Sequence, residues 1–157
     1  MRYISLLAVF AATILLSHKT YAQKTLSLST CDDSAIVSQA DSVKQDFSNK
    51  GFILLKETSV SMETQYEVPI ILPLDKGTWY EFVFIGDATS VLYEVRMYDW
   101  EEKQLEYQKK NFGDPNFNII DYSFVPDVSQ YYMIKPLQVN KKKKKMCGYV
   151  MLFKRTR

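Results

Sequence analysis

The chain has 157 residues, of which 46% are hydrophobic and 14% aromatic, and it carries 20 basic and 18 acidic side chains. That length and hydrophobic content are sufficient for one domain with its own core. The near balance of charge argues against a protein that coats nucleic acid, because such proteins present a broad basic face.

The first segment of the chain has the features of a secretory signal peptide. Arg2 precedes an apolar run over 4–16, which has the length of a signal-peptide core and is too short to span a bilayer. A small-x-small cleavage site at Thr20 to Ala22 follows, so residues 1–22 are predicted to be removed; an uncleaved anchor is the alternative. Removal leaves 18 basic and 18 acidic residues. We predict an exported protein, periplasmic or extracellular and of Gram-negative type, without a transmembrane segment in its mature part.

Two cysteines lie near the two ends of the predicted mature chain. Cys31 and Cys147 allow one intramolecular pairing, which would close a long loop and stabilise a protein in an oxidising compartment. We therefore predict a Cys31–Cys147 disulfide. Free thiols are one alternative, because the sequence does not give the Cα separation. A lipidated Cys31 is another, disfavoured because the apolar run ends far upstream at Leu16.

One amphipathic helix is predicted over residues 32–50. Asp32 or Asp33 can cap its start, and Gly51 stands where a helix ends. The apolar residues that recur at spacings of three and four are Ile36, Ala40, Val43 and Phe47.

After the helix the pattern changes to a period of two, which predicts about seven or eight short strands. The polar segment 58–64 is interpreted as a loop or an edge, and prolines confine the strand at 66–74 to an edge or a bend. No strand–helix unit repeats. We therefore predict a mainly β protein, an antiparallel, jelly-roll-like β-sandwich with one N-terminal helix, as a single domain over residues 23–157. The predicted strands are 52–56, 66–74, 78–85, 91–98, 104–109, 120–124, 130–135 and 148–153.

A run of five lysines lies between the last two predicted strands. It is predicted to form the solvated tip of the last hairpin, where lysines also discourage edge-to-edge association. The functional alternative is a contact to an anionic surface polymer, whereas export disfavours nucleic acid. The run consists of Lys141, Lys142, Lys143, Lys144 and Lys145.

Three aromatic residues on or beside the less apolar strand faces are candidate ligand contacts: Trp79, Tyr98 and Trp100. A flat exposed ring can stack on a sugar or anchor a partner. The alternative is that these rings belong to the core, as tryptophan in a small sandwich often does.

The predicted mature chain offers few side-chain types that are suited to catalysis. The sole histidine, His18, lies in the predicted signal peptide, so the mature chain holds none. Histidine-based nucleophile activation and histidine zinc sites are thereby excluded, and no phosphate-binding loop or dinucleotide-binding pattern occurs.

Carboxylates remain as candidate catalytic or metal-binding groups. Asp99, Glu101 and Glu102 cluster at one predicted turn, but a glycoside hydrolase needs two facing acids, one kept protonated by burial. Asp87, Asp99 and Asp114 could offer oxygens to calcium, although their spacing is not that of a calcium loop. We expect no cofactor.

Several short strings resemble bacterial pre-peptidase C-terminal domains. The string LDKGTWYEF over 74–82 resembles their opening strand, and VRMYD over 95–99 resembles an internal strand. The segments 124–134 and 148–152 are similar to their last two strands, in the same order. The resemblance implies a jelly-roll-like sandwich that accompanies secreted proteins and binds or assists without catalysing. The chain departs from the family in its added helix, in having no peptidase, and in Gln130, where the family has glycine.

Together these observations favour an exported, non-catalytic binding or structural accessory protein of the bacterial cell envelope. Its partner would be a glycan, an anionic polymer or a protein. The alternative is a carboxylate-dependent enzyme resembling glycoside hydrolases. The first hypothesis predicts exposed aromatic or lysine side chains grouped on one surface, and the second predicts two acids facing each other across a cleft.

Overall fold

The structure is a computed structural model that describes residues 30–156. It is an antiparallel sandwich of eight strands with one helix, which confirms the predicted fold class. The predicted signal peptide lies outside the described residues. No helix within 30–156 has the length and hydropathy needed to cross a membrane. The elements are α1 Ser34–Asn49, β1 Phe52–Glu63, β2 Ile70–Leu74, β3 Tyr80–Gly86, β4 Leu92–Tyr98, β5 Gln104–Asn111, β6 Ile119–Phe124, β7 Gln130–Val139 and β8 Lys145–Arg155.

The eight strands form two four-stranded sheets. Sheet A has the order β1-β8-β3-β6 and sheet B the order β2-β7-β4-β5, and all paired neighbours are antiparallel. This nested order is that of a jelly roll. The main core lies between the sheets and is built from the inward residues of the alternating strands, such as Phe82 and Phe84 of β3 and Tyr93 and Val95 of β4.

The helix α1 covers the outer face of sheet A. The Asp33 carboxylate caps the start of α1 by accepting hydrogen bonds from the backbone N–H groups of Ala35 and Ile36. Just after the helix, Gly51 has a φ of +82°, the left-handed conformation with which helices commonly end. The apolar stripe of α1 forms a second core with residues of β3 and β8, and its buried members include Ile36, Ala40, Phe47, Val83, Met151 and Phe153.

The disulfide predicted between Cys31 and Cys147 is present. It joins the chain ahead of α1 to strand β8, with the two Cα atoms 5.8 Å apart. The alternatives of free thiols and of a lipidated Cys31 are therefore wrong. The bond fixes the start of the helix on sheet A.

The segment 58–64, interpreted as a loop or an edge, lies at an edge: β1 is one continuous strand of 12 residues at the edge of sheet A, where it pairs with β8. One detail of the predicted connections needs correction. The lysine run is not the tip of a hairpin, because β7 belongs to sheet B and β8 to sheet A. The run instead lies where the chain crosses from one sheet to the other. Alternation shows which residues face inward, but it does not show which strands pair.

Candidate functional site

Three loops meet at one end of the sandwich, which we call the lysine end. They are the β3–β4 loop (87–91), the β5–β6 loop (112–118) and the β7–β8 loop (140–144). The register brings them together, because Ile85 lies opposite Ile119, Gly86 opposite Gly148, and Leu92 opposite Val139. Segments that are distant in sequence thus build one surface.

The loops enclose an open cleft of about 370 Å³, which we call the lysine cleft. Its most exposed apolar residue is Phe112, which is 64% exposed. The ring packs against Phe117 with a centroid separation of 4.9 Å, which limits its freedom. The lining residues are Thr89, Val91, Phe112, Asn140, Lys141, Lys142 and Lys143.

Asn140 holds the lysine loop in place. Its side chain is buried, and its carbonyl oxygen accepts hydrogen bonds from the backbone N–H groups of Lys142 and Lys143 at 2.9 and 3.0 Å. Its amide nitrogen donates to Thr89 Oγ1 at 2.8 Å, and its backbone N–H donates to Thr64 Oγ1 at 2.9 Å. The loop is therefore preorganised by contacts to two other segments.

Asp87 lies beside the cleft and pairs with one of its lysines. Lys143 Nζ donates to Asp87 Oδ2 at 2.9 Å, and the Asp87 side chain is only 7% exposed. Burial alone would raise the pKa of Asp87, but hydrogen bonds from Thr89 and Lys143 outweigh it, so the pKa lies below its ordinary value. Asp87 therefore stays ionised and neutralises Lys143.

The remaining lysines of the run carry uncompensated charge. Their side chains are exposed, and within residues 30–156 they form no ion pair. Like charges held this close repel each other, so a bound polyanion would relieve an existing repulsion. These four residues are Lys141, Lys142, Lys144 and Lys145.

The aromatic residues predicted as ligand contacts lie far from this cleft. Trp79 is at the opposite end of sheet A, with the Arg155 guanidinium 4.2 Å from its ring centroid. Tyr98 and Trp100 lie at the opposite end of sheet B. Strand β8, with 11 residues, spans the distance between the two ends, about 35 Å. The predicted aromatic and lysine candidates are therefore not parts of one site.

Phe112 lies between the predicted strands 104–109 and 120–124 and is not among the aromatic residues predicted as ligand contacts. Its immediate neighbours are turn-forming residues, Asn111 and Gly113. A large aromatic ring between turn residues has no strand face on which to be buried. That mismatch was the available signal for an exposed ring.

The predicted acidic candidates do not gather into a site. Asp99 accepts hydrogen bonds from the backbone N–H groups of Glu101 and Lys103, so it organises its own exposed turn. Asp114 does the same for the N–H of Asn111. Within the part of the chain that the structure describes, no three His, Cys, Asp or Glu side chains are placed to hold a metal ion.

A carboxyl group with a raised pKa is found on β3, away from these acids. Burial raises the pKa of Glu81 against the effect of the Ser123 hydroxyl, which donates to Glu81 Oε2 at 2.6 Å. The residue is only 6% exposed, which closes it to a substrate. Glu81 is therefore a buried member of sheet A.

Neither a protein-family model nor a curated protein sequence matches the chain. Solved structures with a similar fold include one described as "CBM4 structure and function", with 11% identity and a TM-score of 0.40 over 72% of this chain and 83% of that one. Another is the Gap123 glycosylation-associated protein complex of Streptococcus agalactiae, with 15% identity and a TM-score of 0.37 over 68% of this chain and 40% of that one. A third is TmCBM61 in complex with beta-1,4-galactotriose, with 10% identity and a TM-score of 0.34 over 68% of each chain. At these values the similarities concern the fold and assign no ligand to this chain.

Proposed function

We propose that the protein is an exported, non-catalytic module of the bacterial cell envelope that binds an anionic polymer in the lysine cleft. One observation carries the proposal: two uncompensated lysines, Lys141 and Lys142, line the cleft beside an exposed Phe112 ring, on a loop that a buried asparagine holds in place. The ring offers an apolar surface for a sugar ring, and the ammonium groups attract carboxylate or phosphate.

The distribution of charge supports a specific anion contact over general attraction. The predicted mature chain has equal numbers of basic and acidic residues, 18 of each. Five of these basic residues are consecutive, at 141–145, so positive charge is concentrated in the lysine run although the predicted mature chain has no net surplus. The open shape of the cleft suits a segment of a long chain.

The composition of the cleft supports binding without catalysis. Asp87 is the carboxylate beside it, and that group is buried and paired with Lys143. General acid–base hydrolysis would need a second accessible carboxyl group at a set distance. The described lining residues offer lysines, a threonine, an asparagine and apolar groups instead.

A disulfide between residues 116 positions apart supports an oxidising compartment. Together with the signal peptide predicted from the first residues, it favours export. The outer envelope of a Gram-negative cell is rich in polymers that carry carboxylate and phosphate, which is the chemistry that the lysine loop would recognise.

The test is binding of the purified, disulfide-bonded protein to polygalacturonate and to lipopolysaccharide at low and moderate salt. Changing Lys141 and Lys142 together to glutamine should weaken binding about 30-fold at low salt, since each lysine near an anionic surface contributes about 1 kcal/mol. The affinity of the unmodified protein should also fall as salt screens the contact.

A matched control removes the same charge at the other end of the sandwich. Lys76 and Lys103 are exposed and lie in the β2–β3 and β4–β5 connections, so their double glutamine variant should bind within about twofold of the unmodified protein. Equal losses from both double variants would show that net charge alone governs binding. That result, or no binding by the unmodified protein, would refute the lysine cleft as a site.

A further inference from the structure

The outer face of sheet B is uncovered, in contrast to that of sheet A. The helix α1 packs against β1, β3 and β8, all of which belong to sheet A. Within residues 30–156 no element lies over the other sheet. We call this surface the sheet-B face, and it is formed by Arg96, Tyr98, Trp100, Tyr107, Tyr131 and Lys135.

Two large rings stand side by side at one end of the sheet-B face. Trp100 is 63% exposed and Tyr131 is 54% exposed, with ring centroids 6.0 Å apart. Tyr131 points outward because its neighbour Tyr132 is buried in the main core. Next to them, Lys135 Nζ lies 4.7 Å from the ring centroid of Tyr98. Adjacent exposed aromatic rings leave apolar surface in water that a ligand ring could cover.

The charged side chains beside these rings hold one another in place through hydrogen bonds and ion pairs. The Arg96 guanidinium donates hydrogen bonds to Glu67 and to Glu94, each at 2.5 Å. It also lies 5.5 Å from the ring centroid of Tyr107, whose hydroxyl donates to Glu94 at 3.0 Å. Lys135 adds an ion pair with Glu67 at 3.7 Å. The sheet-B face therefore presents hydrogen-bond donors and acceptors in fixed positions.

The charges on this face nearly cancel, which separates it from the lysine cleft. Three cations, Arg96, Lys109 and Lys135, are paired with two carboxylates, Glu67 and Glu94. A polyanion would meet two carboxylates here, and a polycation would meet three cations. A neutral ligand with many hydroxyl groups could use both the donors and the acceptors.

We propose that the sheet-B face binds a neutral polysaccharide chain, by stacking sugar rings on Trp100 and Tyr131 and by hydrogen bonds to the fixed charges around Arg96. The outward residues of β4 run in line from Glu94 to Tyr98, a length of about 13 Å. The two rings continue that line beyond Tyr98. An extended chain lying along β4 would thus meet polar groups first and aromatic rings next.

The experiment is affinity electrophoresis of the disulfide-bonded protein in gels that contain mixed-linkage β-glucan, galactomannan, arabinoxylan or pullulan. At least one of these neutral polymers should retard the protein, to nearly the same degree at low and moderate salt. Changing Trp100 and Tyr131 together to alanine should weaken that retardation about tenfold or more, because the stacking surface is lost. Changing both to phenylalanine should preserve most of it.

Two controls separate this surface from the lysine cleft and from a general loss of structure. Phe112→Ala removes an equally exposed ring from the lysine cleft and should leave the retardation unchanged. The thermal transitions of all variants should match that of the unmodified protein. The proposal is overturned if none of the four polymers retards the protein or if the alanine variant is retarded like the unmodified protein. It is also overturned if that variant changes only the molar mass in solution, which would assign the face to a second copy of the chain.

Discussion

Tyr93 and Tyr122 are both buried in the main core, but their hydroxyl groups differ in what they contact. The Tyr93 hydroxyl lies 2.7 Å from the backbone oxygen of Asp87 and 3.0 Å from that of Ser90. Burial, together with the charge of Asp87, raises the pKa of Tyr93 to about 12. Burial also raises the pKa of Tyr122, whose hydroxyl has no hydrogen-bond partner among the described residues. One hydroxyl thus ties the β3–β4 loop to the core, and the other is an uncompensated polar group.

Changing each tyrosine to phenylalanine should therefore have different effects on stability. Tyr93→Phe should lower the free energy of unfolding by about 1–2 kcal/mol, because a buried hydrogen bond to the loop beside the lysine cleft is lost. Tyr122→Phe should leave it unchanged or raise it by up to about 1 kcal/mol, because only an unpaired polar group is removed. Urea unfolding of both variants measures the difference. A loss from Tyr122→Phe equal to that from Tyr93→Phe would contradict this reasoning.

At the scale of elements, the sequence predicts strands well where every second residue enters the main core, whether the other face is partly exposed, as in β6, or covered by α1, as in β3. The predicted strands 78–85 and 120–124 correspond to Tyr80–Gly86 and Ile119–Phe124, because their inward residues alternate regularly. The prediction ended β7 at residue 135, before Pro136, yet the strand continues to Val139. The proline is tolerated because β2 begins at Ile70, opposite Ile134, so no residue of β2 lies opposite Pro136 to require its missing N–H.

The sequence predicts only part of the candidate site, because it does not show which strands pair. The lysine run is visible in the sequence, but the cleft forms from loops that only the jelly-roll strand order brings together. Phe112, Thr89 and Asn140 lie in three different connections. Periodicity gives the direction of each side chain within a strand and contains no information on which loops meet.

The disulfide that joins β8 to the segment ahead of α1 gives a prediction at the scale of elements. The cysteines are 116 positions apart, so the disulfide should stabilise the fold by about 5 kcal/mol through loss of entropy in the unfolded chain. Changing Cys31 and Cys147 together to serine should lower the free energy of unfolding by about that amount in urea titrations.

Reduction provides an internal control for the disulfide. A thiol reductant should destabilise the unmodified protein by a similar amount and leave the serine variant unaffected. A serine variant as stable as the oxidised protein would show that packing of α1 on sheet A alone holds this segment.

At the scale of the whole molecule, the jelly roll separates the two proposed binding surfaces. The lysine cleft lies next to Leu92, at the start of β4, whereas the rings of the sheet-B face lie beyond Tyr98, at its end. These two residues are six positions apart in an extended strand, a distance of about 20 Å. The surfaces share no residue, and the strands between them belong to a packed core.

Binding at the two surfaces should therefore be energetically independent. Substitutions more than about 10 Å apart without shared partners usually add within about 0.5 kcal/mol. The dissociation constant for polygalacturonate should be unchanged by a saturating concentration of whichever neutral polysaccharide binds, and equally by the Trp100 and Tyr131 alanine substitutions. Fluorescence titration with labelled polygalacturonate, with and without the neutral polymer, measures this directly. If the neutral polymer displaced polygalacturonate, both would occupy one surface, whereas mutual strengthening would require a rearrangement of the sandwich that couples its two ends.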